Sequence, residues 1–221
     1  MKRIYSLVLA NLLAPLILSA APCVPGLLST YIGASCTNFG ITFDTWTYAA
    51  GDTATLSIDV TVFPSVTNPV FEFTAVVPWT AAPGVTSSPS IGFHATTASP
   101  IIVGSHLLLA TGGVEGTGSV TLTMSECLDG LLFVCSPGTF TSLITFVTSG
   151  TSHLLEFNTF AISPITVDVL NQMTIVGGSM GARNSSLQSG FFVVPVPEPL
   201  TMELTLLGVL LIVASRRWML R

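Results

Sequence analysis

Thr53-Ala54-Thr55-Leu56-Ser57-Ile58-Asp59-Val60-Thr61-Val62 alternates without a break. Ala54, Leu56, Ile58, Val60 and Val62 fall on one side, with Thr53, Thr55, Ser57, Asp59 and Thr61 on the other. A period of two marks a half-buried β-strand, because successive side chains point to opposite faces. The same pattern recurs at Val70–Val77 (Phe71, Phe73, Ala75, Val77), Ser119–Met124 (Val120, Leu122, Met124) and Ile165–Ile175 (Ile165, Val167, Val169, Met173, Ile175). Phe140–Val147 and Leu154–Phe160 are also strand-like. Ile41–Tyr48 shifts its apolar phase near Asp44-Thr45, which predicts a bulge. Ile101–Ala110 is apolar enough for a central strand or a short helix, and the strand is favoured.

Turn residues separate these runs at Pro64-Ser65, Ala82-Pro83-Gly84, Ser87-Ser88-Pro89, Thr111-Gly112-Gly113 and Pro137-Gly138. No stretch between the chain ends shows a 3.6-residue period. Short strands with regular turn signals predict an all-β fold, an antiparallel β-sandwich. Its expected bounds are 22–176, followed by a flexible linker over 177–195. Gly112–Gly118 is glycine-rich and reads as a mobile hairpin loop, since no helix follows to make it a phosphate loop.

Composition narrows the function. Apolar residues make up 49% of the 221-residue chain and charged residues only 8%, against about 25% charged in an ordinary soluble domain. Between Pro22 and Val194 there are nine acids, one base (Arg183) and no lysine. A nucleic-acid binder needs a basic stripe to displace counterions from phosphates, so that class is excluded. Threonine and serine supply the polar strand faces without charge.

Both ends read as addresses. Lys2 and Arg3, the apolar Leu7–Leu18 and Ser19-Ala20-Ala21 have the order of a cleaved secretory signal over 1–21, with the cut after Ala20 or Ala21. At the other end, Val196-Pro197-Glu198-Pro199-Leu200-Thr201 precedes an apolar run from Leu204 to Ala214 and then Arg216-Arg217. The prolines keep the motif extended. The apolar run predicts a short transmembrane helix, and the arginines hold its end in the cytoplasm as a stop-transfer signal.

This tail, over 196–221, resembles the PEP-CTERM sorting signal of Gram-negative bacteria, also known as an ice-binding protein C-terminal domain. Pro197, Glu198, Pro199, Thr201, Leu206-Leu207-Gly208 and Arg216-Arg217 carry the resemblance. It implies an inner-membrane-anchored precursor that signal peptidase and an exosortase process. The protein then passes to the envelope or an extracellular matrix, commonly alongside exopolysaccharide. Leu28–Gly33 with Cys36-Thr37, Phe43, Trp46 and Tyr48, and Ile165–Val167 through Gly177-Gly178, Ser186 and Phe191, are similar to the opening and closing strands of β-domains in such proteins.

Cys23, Cys36, Cys127 and Cys135 form an even set, expected as disulfides in an exported chain. Three connectivities are open, and the local one, Cys23–Cys36 with Cys127–Cys135, is preferred. Neither spacing suits the close cysteine pairs of a zinc site. His94, His106 and His153 carry no flanking catalytic motif, and no nucleophile elbow or metalloprotease helix occurs. No enzyme, metal or cofactor is expected. Glu126 and Asp129 read as solvated loop acids before calcium ligands. Trp46, Tyr48 and Trp79 are the candidates for stacking on sugar rings, although at least two are expected in the core. The expectation is a structural or adhesive matrix domain, then an exopolysaccharide-binding module. Ice binding through Thr45/Thr47, Thr53/Thr55 and Thr121/Thr123, or hydrolysis by paired carboxylates, ranks below both.

Overall fold

The computed structural model describes residues 20–50, 57–63, 68–97, 101–114, 116–130 and 135–194. Residues 1–19 of the expected signal segment, the sorting motif (Pro197, Glu198, Pro199, Thr201), both stop-transfer arginines and the expected terminal helices lie outside them. Among the described residues, no helix is long and apolar enough to cross a membrane.

In chain order the elements are β1 (Ala21–Pro22), β2 (Gly26–Leu27), the single turn α1 (Leu28–Tyr31), β3 (Cys36–Asn38), β4 (Ile41–Ala49), β5 (Ile58–Phe63), β6 (Val70–Ala81), β7 (Thr86–Ser87), β8 (Ser90–Thr97), β9 (Ile101–Val114), β10 (Ser119–Leu128), β11 (Thr139–Thr148), β12 (Ser152–His153), β13 (Leu155–Thr159), β14 (Thr166–Val176) and β15 (Ala182–Val194). They form two sheets. The nine-stranded sheet runs β1-β3-β4-β8-β14-β10-β11-β12, with β7 on the end of β14. The six-stranded sheet runs β13-β9-β15-β6-β5-β2. Every pairing is antiparallel except β1 with β3. The chain is therefore all-β, and the two sheets make the expected sandwich.

The period-two pattern explains what fills it. Ile58, Val60 and Val62 of β5 are buried while Asp59 and Phe63 are exposed. Val120, Leu122 and Met124 of β10 face the same core as Val167, Val169, Met173 and Ile175 of β14. Aromatic rings pack between the sheets. Trp46 has Tyr31, Phe93 and Phe71 at 4.9, 5.0 and 5.2 Å, and Phe43 meets Phe71 edge-on at 4.7 Å. The Tyr31 hydroxyl donates to the Val24 carbonyl at 2.5 Å. Burial pushes its pKa up to about 12.

The bulge predicted at Asp44-Thr45 is present. The β4–β8 register shifts between Asp44 and Thr47, and Thr45 adopts a φ of 52°. Ile101–Ala110 is strand, flanked on both sides by β13 and β15. Cys23–Cys36 and Cys127–Cys135 are both disulfides, with Cα separations of 4.8 and 5.3 Å. Such bridges belong to periplasmic or extracellular proteins.

Four expectations are corrected. The linker over 177–195 is instead largely β15, hydrogen-bonded to both β6 and β9. Alternation there is masked because its inward positions mix Leu187, Ser189, Phe191 and Val193. Gly112-Gly113 continues β9, and residues 116–118 lead across to β10 in the other sheet, so the segment is no hairpin. Val77 is exposed where pairing with β15 breaks at Asn184/Ser186, and beyond the break Trp79 and Ala81 are buried in the same phase as Phe71, Phe73 and Ala75. Ile165 precedes β14 and is exposed, while Asn171 occupies an inward position.

Candidate functional site

The predicted stacking residues do not form a surface. Trp46 and Trp79 are 3% and 1% exposed. Tyr48 packs against the core, and its oxygen accepts from Trp79 Nε1 at 3.4 Å. Burial raises the Tyr48 pKa, and the Trp79 bond offsets part of that. The bulge at Asp44-Thr45 shifts the alternation of β4 by one residue, and that shift turns Trp46 to the same inward side as Ile41 and Phe43.

A different set of rings lies on the outer face of the six-stranded sheet. Phe191 points inward, so Phe192 points outward, opposite Gly104. Leu107 points inward, so His106 points outward, opposite Gly190. The two glycines leave room for both rings to lie against the sheet. A Cβ on Gly104 would meet Phe192 Cδ2 at 3.3 Å, and one on Gly190 would meet His106 Cε1 at 2.5 Å. Aromatic side chains covering cross-strand glycines in this way support the strand pairing. His106 and Phe157 lie 5.4 and 5.8 Å from Phe192, centroid to centroid. Phe157 is 57% exposed.

His106 is buried beneath this platform, and its Nδ1 has no hydrogen-bond partner among the described residues. Burial disfavours its charged form and lowers its pKa to about 4. Sequence reasoning missed this set. Phe157, His106 and Phe192 belong to three separate runs, and only the register joins them.

On the outer face of the other sheet, Asp44, His94 and Asp168 stand in one cross-strand row. His94 Nδ1 is bonded to an Asp168 carboxylate oxygen. Its Nε2 lies 2.9 Å from Thr96 Oγ1. Cross-strand side-chain pairs of this kind stabilise a sheet, and that role accounts for the row. A cavity of about 220 Å³ opens beside Asp168, lined by Ser125, Cys127, Cys135, Phe140 and Leu170. Thr37, Thr42, Thr96 and Thr166 are also in register across four strands. The Thr37 hydroxyl donates to the Ala20 carbonyl and that of Thr96 meets His94, so two of the four already serve the protein. No group of three or more His, Cys, Asp or Glu able to hold a metal occurs among the described residues.

Glu126 corrects the expectation of a solvated loop acid. It lies within β10, faces inward and is 1% exposed. Ser105 Oγ donates to its Oε2 at 2.8 Å, while Oε1 has no partner among the described residues. Asn158, opposite Ser105 in register, donates from Nδ2 to Thr141 Oγ1 at 2.6 Å. Glu126 and Thr141 are themselves a register pair, so the buried Ser105 and Glu126 meet the half-buried Asn158 and Thr141 at the edge of the core. Asp129 is the loop residue, and its Oδ1 accepts the amides of Ile165 and Thr166 at 2.7 and 3.0 Å.

Burial outweighs the bonds from Ser105 and Asn158 and raises the Glu126 pKa to about 7. The unfolded chain releases this proton near 4.5, while the folded form keeps it to about 7. Stability therefore falls as pH rises through that window. By about 1.36 kcal/mol per unit the loss is on the order of 3 kcal/mol. His106 acts oppositely. Its folded pKa lies below 6.5, so stability falls as pH drops from 6.5 towards about 4. The two slopes oppose one another between about 4.5 and 6.5. Glu126→Gln is expected to raise the melting temperature above pH 7 and to leave only the acid-side decline. Thermal melts from pH 4 to 8 test this, and an unchanged profile overturns the assignment.

No protein-family model matches the chain, and no curated protein matches it. Solved structures give distant likenesses. The chain is similar to the enzymatically active domain of bacteriophage CBA120 tailspike protein 4, with 13% identity over 67% of this chain and 19% of that one, at a TM-score of 0.31. It is similar to TmCBM61 in complex with β-1,4-galactotriose, with 11% identity over 77% and 94%, at 0.26. It is similar to arabinose-bound MgGH51 α-L-arabinofuranosidase, with 14% identity over 67% and 23%, at 0.23. This chain spans about a fifth of the tailspike domain. Likenesses this low decide nothing about function.

Proposed function

We propose that the protein is an exported, non-enzymatic β-domain, sorted by an exosortase to the envelope or extracellular matrix of a Gram-negative bacterium, with a structural or adhesive role. The two disulfides carry this reading, because a fold stapled by sequence-local bridges needs an oxidising compartment. The Pro197-Glu198-Pro199 motif, the apolar run and Arg216-Arg217 supply the route. The precursor sits in the inner membrane by its C-terminal helix until signal peptidase and exosortase have acted. The exposed rings of the six-stranded sheet favour adhesion, with carbohydrate as the second reading.

Fractionation of a host strain with and without its exosortase tests the sorting route. A shorter product should leave the inner membrane only when the exosortase is present. Identical processing and location in both strains would sink the proposal.

A further inference from the structure

The platform continues across its sheet. Phe157, His106, Gly190, Val70 and Phe63 form one cross-strand row over β13, β9, β15, β6 and β5. Its two ends, Phe157 and Phe63, are 57% and 40% exposed. Four strand spacings separate them by roughly 19 Å. The adjacent row carries Leu155, Leu108, Gln188, Glu72 and Thr61. An aromatic strip beside hydrogen-bonding side chains suits a ligand with both apolar and polar edges. A sugar ring is such a ligand, with C–H groups on its faces and hydroxyls on its rim.

Charge selects among glycans. Glu72 and Asp59 lie on this outer face, and Glu72 accepts from Ser186 Oγ at 3.2 Å. Arg183 stands at the opposite end of β15, paired with Thr80 and Gly113. An anionic polymer would meet carboxylates here without a compensating base. A second copy of the chain fits less well, because self-association interfaces are large and apolar at their centre. Between its two exposed rings this face sets Gln188, Glu72 and Thr61 beside Leu108 and Val70, a mixed surface with a carboxylate near its centre.

We infer that this outer face binds an extended neutral glycan across the strands, stacking on Phe157 with Phe192 beside it and on Phe63 at the far end. His106, whose buried Nδ1 has no partner among the described residues, stands opposite Phe157 in register. This inference rests on the adhesive reading and is independent of the sorting route.

Affinity electrophoresis of the full chain in mild detergent tests it. The gels carry hydroxyethylcellulose, galactomannan or dextran, with polygalacturonate as the anionic comparison. Retardation is expected in at least one neutral gel and not with polygalacturonate. Phe157→Ala should weaken the neutral interaction about tenfold, the effect of losing one anchoring aromatic. Phe157→Trp should retain it, and Phe63→Ala should weaken it for the polymer. Four results overturn the inference: no retardation in any neutral gel, retardation unchanged by Phe157→Ala, retardation with polygalacturonate alone, or a dimer in sedimentation that Phe157→Ala dissociates. Phe157→Ala should be sorted as the wild type, so failure of glycan binding and failure of exosortase dependence appear in separate assays.

Discussion

A chain ending at Val176 is expected to show no cooperative unfolding, whereas one ending at Pro195 should melt in a single transition. The difference is β15, which fills the space between β6 and β9. Without it, both neighbours lose a ladder of backbone hydrogen bonds. Unpaired buried backbone groups cost about 1–3 kcal/mol each. The core also loses Leu187, Phe191 and Val193, all nearly inaccessible to solvent. Native domains are stable by only about 5–15 kcal/mol, so the combined loss exceeds what the fold can absorb. Circular dichroism melts of the two chains decide the matter. A sharp transition for the shorter chain would restore 177–195 as a linker.

Trp46→Ala is expected to destabilise the protein by about 3–5 kcal/mol, the range for removing a large buried aromatic. For a domain of this size that is a fall of about 6–20 °C in melting temperature. Tyr31, Phe71 and Phe93 all lie within 5.2 Å of the Trp46 ring, so the cavity opens where the two sheets meet. Phe157→Ala removes an exposed ring and should leave the melt nearly unchanged. Thermal melts of the two variants side by side separate structural aromatics from surface ones. Equal melting temperatures for Trp46→Ala and wild type would contradict the packing described.

The core of the fold was legible where alternation is clean. Ile58, Val60 and Val62, and likewise Val120, Leu122 and Met124, need only the two-residue period to be placed inward. Legibility failed where the inward face carries polar residues. β15 puts Ser189 between Leu187 and Phe191, and β10 puts Glu126 in line with Met124, so both depart from the apolar pattern. The local disulfides were readable from spacing because each closes a short loop. The platform was not, since Phe157, His106 and Phe192 meet through register. That register joins residues far apart in sequence, Phe157 with His106 and Gly190 with His106.

The central position of β15 has a mechanical consequence. It is the last described strand, and eleven residue pairs tie it to β9 and eight to β6. A pull along its axis from the C-terminal side loads both ladders in shear. Their bonds then share the force, whereas an edge strand under transverse tension unzips one bond at a time. On the sorting route proposed above, a tether at the C-terminal side would therefore pull on one of the fold's most firmly held strands.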